Sequence, residues 1–184
     1  MSAYYCPTAK EAVSKVVELI PDGSSVTWGG SMTLRDMGIP AANSLDVMDR
    51  DLAASRDEAQ EIYRKAFTAD YYLSSANAIS EDGVIVNIDG TGNRVAAITF
   101  GPKHVIFVIG LNKVAQTAEA ALARARSMAS PINAARFDIK TPCHTDGVCH
   151  NCNSPECVCN HIHFLRNSPG KRHTVILVGE SWGY

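Results

Sequence analysis

The sequence has no apolar run long enough to span a bilayer, and no block of Lys or Arg. Membrane insertion is excluded on the first count. A formal net charge of −2 adds the second exclusion, because nothing draws the chain to nucleic acid or to an acidic lipid surface. The opening residues, MSAYYCPTAKEA, lack the basic and then apolar segments of a secretory leader, so a cytoplasmic location is expected. Internal repeats, low-complexity tracts and a flavin or nicotinamide fingerprint are also missing. What remains is a chain of 184 residues, 46% hydrophobic, sized for one compact domain over 1–184 with an appended loop.

Cysteine is the exception to this plainness. Five of the six cysteines fall between Cys143 and Cys159. In a reducing compartment such a cluster points to metal or redox chemistry before disulfides. Pro142, Gly147 and Pro155 punctuate the segment and predict a loop able to wrap an ion. Cys149-x-x-Cys152 has knuckle spacing. Cys143 and Cys159 complete four thiolates, with Cys157 as a fifth or a substitute. A 4Fe-4S cluster and a structural zinc site both suit this set. The all-cysteine donors favour the cluster, whereas nearby His144, His150, His161 and His163 favour zinc. Cys6 stands apart and reads as a buried thiol.

Strand and helix signals alternate. Thr8 and Glu11 form a capping pair ahead of Ala9, Ala12, Val13, Val16, Val17 and Ile20 at helical spacing, and Pro21 to Gly23 stop the helix. Strands are predicted at Ser25–Trp28, Leu45–Met48, Tyr71–Ser74, Val84–Ile88, His104–Ile109 and Thr174–Val178. Further helices are predicted at Ser55–Phe67 and Val114–Met128, the last broken by Pro131. The alternation predicts an α/β fold, mainly a parallel sheet with helices on both faces, plus the cysteine-rich loop over 141–163.

Two Gly-rich stretches look able to hold an anion. Gly29, Gly30 and Ser31 follow one strand and open a short helix, and Asp89 to Arg94 follow another, with Gly90, Gly92 and Asn93 between. Arg94 and Lys103 are the cations expected to hold a carboxylate or phosphate there. Asp49 and Arg50 fall just past a strand, where an open sheet places its ligands.

Read together, WGGSMTL at 28–34, DR at 49–50, SANAISEDGVIVNIDGTGNRVAA at 75–97, FGPKHVIFVIGLNK at 100–113, TPC at 141–143 and the terminal VILVGESWGY resemble short members of the LUD family of lactate-utilisation proteins. The resemblance implies the fold shared by ribose-5-phosphate isomerase, coenzyme A transferases and the regulatory subunits of translation initiation factor 2B. By the same resemblance, Asn77, Asp82, Gly83, Asn87, Gly90, Gly92 and Asn93 border a ligand cleft. It matches Cys143, Cys149, Cys152 and Cys159 and departs at Cys157, where arginine is common. The coenzyme A transferases also use a glutamate nucleophile, but nothing aligns Glu180 with it specifically.

The functions this implies are three. One is a redox accessory of lactate oxidation, carrying an iron-sulfur cluster, binding a small anionic metabolite and working with lactate-oxidation partner proteins. Another is an anion-binding enzyme or sensor with structural zinc. The third is a regulatory interaction protein, and self-association into a homo-oligomer stays open in each.

Overall fold

The computed structural model describes residues 1–42 and 45–184. In chain order, the first elements are β1 (Ser2–Cys6), α1 (Ala9–Leu19), β2 (Val26–Trp28), α2 (Met32–Asp36), β3 (Val47–Met48), α3 (Arg56–Lys65) and β4 (Tyr71–Ser74). There follow β5 (Ala78–Ser80), β6 (Ile85–Asp89), α4 (Asn93–Thr99), β7 (His104–Gly110) and β8 (Val114–Ala115). The chain ends with α5 (Ala118–Arg124), α6 (Ser130–Ala134), α7 (Pro142–Asp146), β9 (His161–Leu165) and β10 (His173–Val178). Among the described residues no helix is long and apolar enough to cross a membrane.

Two compact units result. The first comprises residues 1–75, 96–112 and 167–183, and the second residues 76–95, 113–166 and 184.

The first unit is built on a six-stranded sheet in the order β1-β10-β7-β4-β2-β3, with every pairing parallel and helices flanking it. β7 and β10 are neighbouring interior strands and read as continuous apolar runs because both their faces are covered; Val105 to Ile109, Ile176 and Val178 are buried. α1 begins where Thr8 accepts a hydrogen bond from the Glu11 N–H at 3.3 Å, and its Ala12 and Val16, with Ile20 just beyond, are buried at four-residue spacing. Replacing that cap by alanine costs about 1 kcal/mol.

The second unit carries a four-stranded mixed sheet, β8-β5-β6-β9. β5 and β6 form an antiparallel hairpin whose turn contains Asp82 and Gly83, the latter at φ +89°. Ser80 binds both the Asp82 carboxylate and the Val84 N–H. β9 pairs antiparallel with β6, setting His161 opposite Asp89 and His163 opposite Asn87.

The helix expected from Val114 differs in two ways. It starts only at Ala118, after β8, capped by Thr117, and it does not stop at Pro131. A π-helical turn over Ala125–Ala129 interrupts the ordinary ladder, and Pro131 then opens the next turn, where a missing N–H costs little.

Candidate functional site

The cysteine-rich segment folds within the second unit as one short helix and a series of tight turns. Cys143 rides on α7, beside the Thr141 hydroxyl at 3.4 Å. Gly147, at φ +75°, ends that helix, and Asn151, at φ 48°, turns the chain between Cys149 and Cys152. Cys157 N–H donates to the Ser154 carbonyl at 2.9 Å, and Cys159 N–H donates to the Cys157 sulfur at 3.4 Å.

The outcome is convergence: Cys143, Cys149, Cys152, Cys157 and Cys159 all line one cavity of about 50 Å³. None is in a disulfide, and all five are half-buried. That volume is several times the ~10–15 Å³ one water requires. Among the described residues, no three His, Cys, Asp or Glu side chains are gathered as tightly as a single metal ion demands.

The thiols feel each other. Burial pushes Cys159 up to about 11, a hydrogen bond from Ser130 opposes the shift, and the neighbouring Cys157 and Cys143 raise it further. Hydrogen bonds from Ser154 hold Cys152 below the usual thiol range. Ser130 and Arg126 share the cavity wall, carried there by the π-turn and the start of α6. Of the four nearby histidines only His150 lines the cavity, and its Nε2 lies 2.6 Å from Asp146. His144 contacts the Ala134 carbonyl, while His161 and His163 belong to β9.

The Gly-rich loop after β6 lies in the same unit and is internally organised. Asp89 accepts hydrogen bonds from the N–H groups of Gly92 and Val95, both at 3.1 Å, so two of the main-chain donors read as an anion cradle are engaged by the protein's own carboxylate. Arg94 folds back against β6. Its guanidinium donates to Asn87 at 3.1 Å, to Asn77 at 3.4 Å and to the Ile88 carbonyl at 2.5 Å, with Asp89 3.9 Å away. Asn87 is fully buried, and its side-chain nitrogen finds no hydrogen-bond partner among the described residues. Burial and then the Arg94 charge hold the His163 imidazole below its ordinary value. Asn93 opens α4.

Gly90 and Gly92 are needed for close approach. A Cβ on Gly90 would stand 3.2 Å from Val158 Cα, and one on Gly92 would stand 3.0 Å from the His161 ring.

Gly29, Gly30, Ser31 and Lys103 belong to the first unit. The Ser31 hydroxyl caps α2 by accepting the Leu34 N–H at 3.4 Å. Lys103 pairs with Asp70 at 2.7 Å, and Ser25 binds the same carboxylate, so Asp70 is held well below the usual carboxylate range. Glu180 accepts the Ala9 N–H at 2.8 Å and the Trp182 indole at 3.0 Å, fastening the terminal segment to the start of α1. Arg50 lies against Gly30 and over the Tyr63 ring.

The sequence matches the family model described as LUD domain over residues 1–178. The chain belongs to the LUD-domain family. Membership points to a function related to lactate utilisation. Among solved structures, a DUF162 family protein from Deinococcus radiodurans is similar at TM-score 0.57 and 16% identity, over 97% of this chain and 88% of that one. The delta subunit of translation initiation factor 2B from Chaetomium thermophilum is similar at TM-score 0.41 and 16% identity, covering 62% of this chain and 50% of that one. Ribose 5-phosphate isomerase A from Neisseria gonorrhoeae is similar at 0.39 and 14%, covering 61% and 56%. No curated protein matches the sequence.

In this LUD-domain protein, reading the sequence missed Arg126 and Ser130 on the cavity wall. No local motif marks them, because their placement depends on the π-turn, which shifts which helical residues share a face.

Proposed function

We propose that this LUD-domain protein is a redox accessory of lactate or related 2-hydroxy-acid oxidation, with a 4Fe-4S cluster held by Cys143, Cys149, Cys152 and Cys159. The observation that carries the reading is the single cavity lined by all five cysteines of the segment. Its size and donor set suit a cluster better than one ion. A cluster spreads its irons and asks its thiolates to stand apart, whereas a zinc ion draws four donors to about 2.3 Å. Such a cluster, when bound, supplies one-electron transfer.

The chain's own residues do the rest. Thr141, Ser130 and Ser154 supply hydroxyls beside Cys143, Cys159 and Cys152, and the Cys159 N–H donates to Cys157. Hydrogen bonds to sulfur stabilise thiolate charge. Half-burial of the five thiols limits water access. Cys157, where the LUD pattern commonly has arginine, would add a fifth sulfur to the wall.

We further propose that the protein binds a small anionic metabolite, and each unit offers candidate residues of its own: Gly29, Gly30, Ser31 and Lys103 in the first, and Asn77, Asp82, Asn87, Gly90, Gly92, Asn93 and Arg94 in the second. Fully buried Asn87, whose amide nitrogen has no hydrogen-bond partner among the described residues, supports this in the second unit.

Anaerobic purification followed by iron, sulfide and zinc analysis tests the first proposal. A brown protein with iron and acid-labile sulfide in equal amounts is expected, and Cys149→Ser should lose most of the iron because one missing thiolate opens the site. A colourless protein with stoichiometric zinc, or full iron retention in both Cys149→Ser and Cys152→Ser, would overturn it.

A further inference from the structure

Gly30 has two reasons to be glycine, and only one is its turn. Its φ is +68°, and a Cβ built there would stand 2.4 Å from Nη2 of Arg50 and 3.2 Å from Cζ. The absent side chain is therefore the seat of a guanidinium. Gly30 follows β2 and Arg50 follows β3, and these neighbouring parallel strands run in register, Val26 beside Val47 and Thr27 beside Met48. Both residues consequently emerge at the carboxyl ends of paired strands, where open α/β sheets hold their ligands.

The guanidinium is well fixed and only partly satisfied. Its Cζ lies 4.8 Å from the centre of the Tyr63 ring, a cation–π stack. Nε is 3.4 Å from an Asp51 oxygen, yet it is buried and makes no hydrogen bond among the described residues. Asp51 is itself drawn to Arg35, whose guanidinium lies over the Trp28 ring, and is steadied through its N–H by Asp49. Trp28, the last residue of β2, is 4% exposed and has a buried indole N–H with no partner among the described residues. A buried indole donor without a protein acceptor at the end of β2, beside a guanidinium at the end of β3 whose one charged partner stands at 3.4 Å, leaves hydrogen-bonding capacity at these strand ends that the protein does not fill.

We propose that Arg50, seated on Gly30 and stacked on Tyr63, anchors a binding site for a small carboxylate at the ends of β2 and β3, with Arg35 and Asp51 positioning it. This rests on the anion-binding part of the proposed function and assigns it to residues of the first unit. Arg35, Arg50, Asp49 and Asp51 sum to no net charge, so the site lacks the field that gathers polyanions. Recognition falls to the planar fork of donors, which matches a carboxylate in two-point fashion.

The test is calorimetric titration of the parent protein, Arg50→Gln, Arg50→Lys and Gly30→Ala with acetate, L-lactate and inorganic phosphate, with thermal melts and iron content measured alongside. The parent should bind the carboxylates in preference to phosphate. Arg50→Gln should weaken carboxylate binding roughly ten- to hundredfold, the range for hydrogen bonds to a charged group. Gly30→Ala, which displaces the guanidinium, should do the same, and Arg50→Lys, which keeps the charge and folds with less disturbance, should also bind more weakly. Iron content should stay at the parent level throughout. Parent-like carboxylate binding by both Arg50 variants overturns the site and leaves anion binding elsewhere standing. Absence of carboxylate binding to the parent overturns both readings, and preference for phosphate overturns the carboxylate assignment.

Discussion

The Asn160 side-chain amide donates to the Gly90 carbonyl at 3.0 Å, and also to the Cys157 carbonyl at 3.0 Å, so one residue ties the cysteine-rich segment to the loop after β6. Gly90 reinforces the link by lying against the Val158 backbone. Order in the sulfur segment and order in the Gly-rich loop are thus expected to rise and fall together. Asn160→Ala should speed amide exchange across residues 89–94 several-fold, as should removal of the proposed cluster from the parent, because local opening draws on the same contacts. Exchange in that loop that responds to neither change would break the connection.

Arg94 was expected from sequence to hold an anion, and its contacts add a second task. Its guanidinium satisfies three oxygens, on Asn87, Asn77 and Ile88, and lies near Asp89, while its side chain is 17% exposed. Arg94→Ala strands acceptors that solvent reaches poorly. A loss of about 2–4 kcal/mol in unfolding free energy is expected, from a penalty of ~1–3 kcal/mol for each buried group left unsatisfied, partly relieved by water. Denaturant titration checks it; a change under about 0.5 kcal/mol, the size typical of a surface substitution, would show the network to be dispensable.

His163 gives the fold a pH dependence of known sign. Burial, and secondarily Arg94, lower its folded-state value below the ordinary 6.5. Between those two values the unfolded chain binds more protons than the folded one, so stability falls as pH drops below about 6.5 and levels off once the folded-state value is passed. His163→Gln should flatten that part of the stability profile. Chemical denaturation at intervals from pH 5 to 7.5 is the measurement, and an unchanged slope in the variant would assign the dependence to other groups.

The parallel sheet was legible because β7 and β10 are buried on both faces and their apolar runs say so directly. β1 and β9 were not. SAYYC is an edge strand with Tyr5 61% exposed, and HIHFL leaves Ile162 and Phe164 in solvent, so neither shows the apolar continuity that announces a strand. The gathering of the cysteines could be inferred from spacing, since five thiols in 17 positions have little room to diverge. What spacing could not show was how the loop after β6 spends its donors. That depended on Asp89, whose carboxylate turns inward to Gly92 and Val95, and such a turn follows from the helix start at Asn93 rather than from any residue type.

The remaining prediction concerns where electrons would enter. The sequence shows no flavin or nicotinamide fingerprint, and on the accessory reading proposed above a partner dehydrogenase takes the hydride from lactate. His150 on the cavity wall is bonded to Asp146 at 2.6 Å, and both stand exposed, which suits a solvent-facing rim better than a hydride-transfer pocket. L-Lactate added anaerobically to the loaded protein should therefore leave its visible absorbance and paramagnetic-resonance signal unchanged. Addition of a lactate dehydrogenase that passes single electrons should then reduce the centre. Rapid bleaching by lactate alone would make the chain a self-sufficient oxidoreductase, and the accessory reading would give way to it.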